Sequence, residues 1–350
     1  MFRQYPRKVL LLVLMLGSVA AGACAASPTE DGASAAPETA SRDTLVFADY
    51  NWPSAQIQNR IVQYLVEEGY GYPTDVVFGE TLPLYQGFRT DDIHVSMEIW
   101  LPNQVEIWSQ VENDGVMVAV GESLSGSWQS TFVIPAYLQA EYPELDSIED
   151  LREEKYKALF ATAETDGKAR LVNCVIGWAC EAVGARQIES YGLSEHVHVV
   201  NPGGSAALYA DLFGAYEQGR PWLGYMSKTD DPAQVLDLVR LEEPPYSDEC
   251  WATTKACAYV DTTMLIAVRP WLLERAPDVV DLLRAYSIDL DTYQAIFAWM
   301  FTNETSENNA ALWWLANHPG IWGEWVTEAA AASVLHALEA GEIPDGWPVQ

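Results

Sequence analysis

Hydrophobic and polar positions change period several times along the chain, and each change marks an element. Residues 44–53, TLVFADYNWP, hold a short apolar run ending in a proline-containing loop, which predicts a buried strand. In residues 54–71, SAQIQNRIVQYLVEEGYG, apolar positions recur at helical spacing. This predicts an amphipathic helix with Ser54 as its N-cap and Gly69 near its end. PTDVVFGE (73–80) and HVSMEIWLP (94–102) read as two more strands. Strand, helix, strand and further strand give the α/β pattern of a parallel sheet. The theme returns in GKARLVNC (167–174), HVHVVNP (196–202) and PWLGYMSK (221–228), with helices such as GGSAALYADLFGAYEQG (203–219) between them. Residues 269–286 and the tryptophan-rich segment 291–340 read as mostly helical. The pattern as a whole predicts an α/β protein of two lobes with a binding cleft between them.

The first residues belong to a different category. Arg3, Arg7 and Lys8 stand before an apolar stretch, residues 9–16, and small residues then lead to Cys24, the layout of a secretory signal peptide over residues 1–23. The apolar stretch is about half of the roughly 20 residues that a membrane-spanning helix needs, so an exported protein is expected rather than an integral one. Ala21-Gly22-Ala23-Cys24 resembles the lipobox of bacterial lipoproteins, in which the cysteine is acylated and becomes the new N-terminus. Ala21 departs from that pattern, which usually has a larger aliphatic residue there, and ordinary cleavage at a small-x-small site is the alternative. Residues 24–42, rich in Ala, Ser, Pro and Glu, read as a flexible tether. The remaining length suits two domains.

Charge narrows the partners. The chain has 50 Asp and Glu against 19 Lys and Arg, a net charge of −31, and loss of the leader removes three positive charges more. Nucleic acid is thereby excluded as a partner. The acidic excess is spread along the chain, so it reads as solvation chemistry, which a high-salt habitat would screen.

Four cysteines follow Cys24 in two local pairs, Cys174 with Cys180 and Cys250 with Cys257. An even number in an exported chain invites two disulfides. Neighbours are paired here, although four cysteines allow three connectivities. Zinc is the competing reading, but neither pair has C-x-x-C spacing. Loops so short gain little from closure, which makes local shape their purpose. The first loop, NCVIGWACEAVGARQIESYG, holds Trp178 in a clamped turn leading into a helix that begins near Cys180. The backbone N–H groups of Ala179 and Cys180 at such a start can accept a carboxylate without any side-chain cation.

Through C-x-x-G-W-x-C-E, residues 174–181, the chain resembles the glycine betaine and proline betaine binding proteins of ABC importers. DYNWPSAQI, VSMEIWLPNQVEIW, VIPAYL, PWLGYMS, CWATTKACAYVDTTM and LLERAPDVVDLL carry the likeness across nearly the whole mature chain, through their order and separation. The resemblance implies a two-lobed periplasmic-binding-protein-like fold of type II with the ligand cleft between lobes. It implies a discontinuous first lobe, 43–131 with 260–345, and a second lobe, 132–259. It further implies a betaine-type zwitterion as ligand, a membrane permease as partner, a periplasmic or cell-surface location, and no cofactor.

A trimethylated ammonium has no N–H, so a carboxylate facing it loses hydration and receives no hydrogen bond. Aromatic faces supply the negative side of a ring quadrupole and apolar contact together. Of 14 tryptophans, Trp108, Trp271, Trp299, Trp313, Trp314, Trp322 and Trp325 read as helix packing. Trp52, Trp100 and Trp178 instead follow predicted strands or sit in Pro- or Gly-containing loops, where α/β lobes bind ligands. The resemblance carries over best at Trp100 and Trp178, while Trp52 matches a ring that choline-binding and some betaine-binding relatives place after their first strand. Ser227 stands where many relatives carry a further cage tryptophan, and Tyr225 can take that role. Gln104 stands where some relatives use a histidine, and its amide can still donate a hydrogen bond. Trp128, Phe132 and Tyr137 are candidates for another side of the cage.

Other function classes find less support. The chain lacks H-E-x-x-H, G-x-S-x-G and a phosphate-binding glycine loop, and Asp49, Asp230 and Asp231 read as solvated surface. No catalysis is therefore expected. His196 and His198 would share one face of a strand and could hold an ion, but an isolated H-x-H is more often structural. Glycan recognition by the aromatic residues would need polar partners around each ring. Among quaternary amines, choline ranks below the betaines because it has no carboxylate for the Cys180 helix start.

Overall fold

The computed structural model describes residues 42–125 and 130–348. The leader, the tether with Cys24, and Trp128 lie outside the described residues. Strands β1 (Leu45–Tyr50), β2 (Thr74–Gly79), β3 (Val95–Leu101) and β4 (Val118–Ser125) enter a first sheet. The chain then crosses to a second sheet for β5 (Thr131–Pro135), β6 (Ala169–Val172), β7 (Val197–Val200), β8 (Gly224–Met226) and β9 (Leu238–Arg240). It returns to the first for β10 (Thr263–Val268) and β11 (Ile288–Asp289).

The first sheet has the order β11-β4-β10-β3-β1-β2 and the second β7-β6-β8-β5-β9. Neither is purely parallel, which corrects the expectation from the strand–helix alternation. β1 runs parallel to β2 and β3, but the returning β10 is antiparallel to both β3 and β4. In the second sheet β6 is parallel to β7 and β8, while β5 is antiparallel to β8 and β9. The antiparallel strands are those beside a crossing, where the chain arrives from the other sheet and not from a covering helix.

The helix after β1 spans Pro53–Tyr64 and differs from its sequence reading in two ways. Trp52, with extended backbone, holds the N-cap position and Pro53 follows at the first helical position, where its missing N–H costs nothing. Ser54 is thus inside the first turn, and its hydroxyl donates to buried Glu98 at 3.1 Å. The helix continues as a π-helical turn, Leu65–Gly69, ending at the predicted glycine. The second difference is that the polar face is covered. Gln58, Asn59, Arg60 and Gln63 are all buried: the late helix Glu307–Asn317 packs on this helix and its Asn308 accepts from Arg60 Nε at 3.0 Å, while Gln58 and Asn59 turn inward to Glu98 and Asp49.

Asp49 is also buried, contrary to its surface reading. Arg60 approaches its carboxylate at 2.7 Å and Asn59 donates to the other oxygen at 2.9 Å. Tryptophans read as packing residues do pack. Trp299 and Trp313 stack at 4.7 Å between helices Leu290–Thr302 and Glu307–Asn317, and Trp314 stacks on Trp325 at 5.7 Å. Trp108 and Trp322 are buried, and Trp271, just ahead of the short helix Leu272–Arg275, meets His94 edge-on.

Removing one member of a buried ion pair strands the other charge. Arg60→Ala is expected to lower the unfolding free energy by about 3–5 kcal/mol in urea denaturation. A change below about 1 kcal/mol would show that Asp49 does not depend on its cation.

Candidate ligand-binding site

One cavity gathers the ends of elements from both sheets. β1 delivers Trp52, β3 delivers Trp100, Asn103 and Gln104, and the helix Thr81–Thr90 contributes Thr81. From the second sheet come Trp178, Ala179 and Cys180 of the turn after β6, and Tyr225, Ser227 and Asp230 at and beyond β8. These are carboxyl ends of strands, where open α/β sheets leave room for ligands. About 380 Å³ of empty space, part of it open to solvent, lies among them.

Trp52 is the central ring. It meets Trp100 at 6.3 Å and 90° and Trp178 at 5.2 Å and 77°, and one of its faces stacks on Tyr50 at 4.5 Å. The indole nitrogens are all engaged. Trp52 Nε1 and Trp100 Nε1 both donate to Oε2 of Glu98, at 2.6 and 2.8 Å. Gln58 Nε2 donates to Oε1. Burial raises the carboxyl of Glu98 above its usual range, and these donors, with Ser54, oppose the rise. Trp178 Nε1 donates to Asn51 Oδ1 at 2.6 Å, while the Asn51 amide donates to Glu80 at 2.6 Å.

The turn before Trp178 is built for close approach. Cys174 and Cys180 form a disulfide with Cα atoms 5.7 Å apart. Gly177 has φ +88°, which favours glycine, and a Cβ there would sit a tight 3.1 Å from the Glu80 side chain. Trp178 occupies the N-cap position of the helix Ala179–Ser190, and Glu181 accepts from the Gly177 N–H at 2.9 Å. Among the described residues, neither the Ala179 nor the Cys180 N–H has a partner, as befits the first turn of a helix. Leu82 N–H donates to Gly177 carbonyl, and Ser205 Oγ to Asn51 carbonyl, so loops of the two sheets touch beside the cavity.

The remaining lining is polar. Tyr85 donates to Gln104 Oε1 at 2.8 Å, which leaves Nε2 of Gln104 as a donor. The Oδ1 of Asn103 is buried without a partner among the described residues. Tyr225 donates to Ser130 Oγ at 2.8 Å, and burial with nearby Asp230 raises its hydroxyl, so it remains neutral. Asp230 is only 5% exposed, which overturns its surface reading. It accepts from Tyr209 at 3.0 Å and from the Ser227 N–H at 2.6 Å, and burial pushes its carboxyl up to about 6. The side chain of Asp231 lies outside the described residues.

The seven residues singled out from the sequence, Trp52, Trp100, Gln104, Trp178, Ala179, Cys180 and Tyr225, all line this cavity. Phe132 and Tyr137 do not. Phe132 is fully buried on β5 opposite Tyr225, and Tyr137 packs on Tyr216 with its hydroxyl on Arg220 carbonyl. Cys250 and Cys257 form the second disulfide, with Cα atoms 6.4 Å apart. His196 lies in the turn before β7 and His198 is exposed on it, so the pair does not share a strand face. Sequence reasoning missed Glu98 and Asp230. For Glu98 the sequence pattern misdirects: V-S-M-E-I-W alternates as a half-exposed strand does, which puts Glu98 on a solvated face, whereas both faces are covered.

A cleft ringed by aromatic residues between two sheets defines a ligand-capturing protein of the solute-binding class. The model of the substrate-binding domain of ABC-type glycine betaine transport systems matches residues 43–317. The chain belongs to that family. It is 25% identical over 271 residues to the glycine betaine/proline betaine-binding periplasmic protein of Salmonella typhimurium, covering 71% of this chain and 78% of that one. The glycine betaine-binding periplasmic protein OusX of Dickeya dadantii is 27% identical over 266 residues, with the same coverage. Among solved structures, an ABC-transporter choline-binding protein in complex with choline has the same two-lobed fold. Its TM-score is 0.69 at 20% identity, over 84% of this chain and 98% of that one.

An acid whose pKa is raised on folding stabilises the folded state where it is protonated, and this contribution is lost as pH rises through the folded value. For Asp230 the window runs from about 4 to about 6. Asp230→Asn is expected to gain stability relative to the parent protein between pH 4 and pH 7, by up to about 3 kcal/mol. Denaturation curves at both pH values check this; a constant difference would place the titration elsewhere.

Proposed function

We propose that this chain captures glycine betaine or a related quaternary-ammonium osmolyte outside the cytoplasm and delivers it to the permease of an ABC importer. The carrying observation is the set of three indoles, Trp52, Trp100 and Trp178, around one cavity, two with their polar edges turned to a buried acid and their π-systems left for the ligand. A desolvated ring contributes about 2 kcal/mol or more to holding a quaternary ammonium. Three rings thus supply most of the roughly 8 kcal/mol that micromolar affinity needs.

In this reading Tyr225 completes the aromatic wall. The Ala179 and Cys180 amides, with Gln104 Nε2, hold the ligand carboxylate at the positive end of a helix dipole. Residues 43–131 with 260–345 form one lobe and 132–259 the other, hinged at the crossings between sheets, and the closed form docks on the permease. Residues 1–23 direct export, and Cys24 carries a lipid at the end of the 24–42 tether. One feature favours a second ligand of the same class. Asp230 puts a carboxyl in the cavity wall, which disfavours a ligand carboxylate and favours choline.

Calorimetric titration with glycine betaine, proline betaine, carnitine, choline and maltose tests the class and the order within it. Micromolar binding of a betaine and none of maltose is expected. No binding of any quaternary amine would leave the family fold without its ligand. Trp178→Ala is expected to weaken betaine binding by about 30-fold with an unchanged unfolding transition; undiminished affinity would remove Trp178 from the cage. For the anchor, Cys24→Ala is expected to move the protein from the detergent to the aqueous phase on partitioning of cell extracts, and an unchanged distribution would exclude acylation at Cys24.

A further inference from the structure

Glu98 lies behind the aromatic wall and is not part of the cavity lining. It is fully buried on the central strand β3. Its Oε2 receives both indole N–H groups and the Ser54 hydroxyl, and its Oε1 receives the Gln58 amide. Gln58 is fixed in turn by Tyr286, whose hydroxyl donates to Gln58 Oε1 at 3.0 Å. Three of these contacts come from N–H groups, which can only donate, so they favour the carboxylate over the acid form. Among the described residues no Lys, Arg or His pairs with Glu98; the buried cation nearest in sequence, Arg60, is paired with Asp49. A buried charge without a counter-ion is expensive. The two indoles standing between this charge and the cavity give it a direction in which to act, since an N–H donated to an anion sends electron density into the ring and strengthens its attraction for a cation.

We propose that Glu98 is a positioning residue that also supplies a counter-charge behind the wall, additional to the Asp230 carboxyl within it: it fixes the planes of Trp52 and Trp100, enriches their faces, and strengthens the cavity's preference for a permanent cation over an uncharged group of the same shape. This rests on the quaternary-amine reading and deepens it. The selected feature is the positive charge itself and not the three methyl groups, which an apolar pocket would accept on any central atom.

The test pairs glycine betaine with its carbon isostere, 3,3-dimethylbutanoate, in which C replaces N⁺ and the rest is unchanged. Both are titrated into the parent protein and into Glu98→Gln, which keeps shape and one acceptor oxygen. A charge about 8 Å away at an effective dielectric of about 20 corresponds to roughly 30-fold in affinity. The preference for betaine over the isostere is therefore expected to fall by roughly that factor in the variant, and the indole N–H resonances of Trp52 and Trp100 to move upfield. Equal losses for both ligands would reduce Glu98 to a structural support and overturn the proposal, while leaving the functional reading intact. Failure of the parent protein to bind any quaternary amine would overturn both. If the variant does not fold, the carboxyl carbon resonance of Glu98 in the parent protein decides: an ionised group at neutral pH supports the proposal, and a protonated one refutes it.

Discussion

β10 is hydrogen-bonded along both edges, to β3 on one side and β4 on the other, although it comes far later in the chain than either. The first sheet cannot close until that strand is in place. Between β4 and β10 the chain builds the whole second sheet, so every residue of the second half of the site enters between two strands of the first. This gives two connections at one seam, and the seam is where the strand ends from both sheets meet. A ligand bound there is held by groups from each sheet, and loop contacts such as Asn51 with Trp178 can form only when the two sides are together.

The second organising element is polar. An aromatic box needs ring faces toward the ligand, but indoles in a pocket have no intrinsic reason to stand perpendicular with edges inward. Here the edges are held by hydrogen bonds, Trp52 and Trp100 by Glu98 and Trp178 by Asn51. The helix Pro53–Tyr64 carries Ser54 and Gln58 to the same carboxylate, which explains why a helix with so many polar residues is buried on nearly every side. Burial of Glu98, Ser54, Gln58 and the three indole nitrogens is tolerable because all of them have partners; unpaired, each would cost free energy comparable to a lost hydrogen bond. Asp49 with Arg60 repeats this arrangement one turn away, against the late helix that covers both.

Much of this was legible before any coordinates. The strand and helix periods located β1, β2, β3, β6, β7 and β8 but not β4, β5, β9, β10 or β11; the cysteine spacing located the two disulfides, and tryptophans following strands stood apart from those at helical spacing. Trp52, Trp100 and Trp178, with Gln104, Ala179, Cys180 and Tyr225, do meet at one cavity. Misreadings fell on polar residues. Asp49 and Asp230 were read as surface, and the helix after β1 as having a solvated face, because a carboxylate or glutamine in sequence carries no sign of what will later cover it. Phe132, a candidate for another side of the cage, is fully buried on the strand opposite Tyr225 and does not line the cavity.

Sequence alone determined what depends on local order: the strands β1, β2, β3, β6, β7 and β8 and the helices between them, which cysteines are near enough to pair, and the turn that ends at a helix start beside Trp178. Tertiary structure decided what depends on residues far apart. It made the sheets mixed, because β10's partners lie before the excursion and its direction is set by the return. It put Glu98 behind Trp52 and Trp100, because Trp52 reaches the acid from another strand and Gln58 reaches it from a helix. The physical reason is the same in each case. Periodicity records which side of an element is apolar, while the fate of a buried charge or an unpaired edge is settled only by the partner that arrives from elsewhere in the chain.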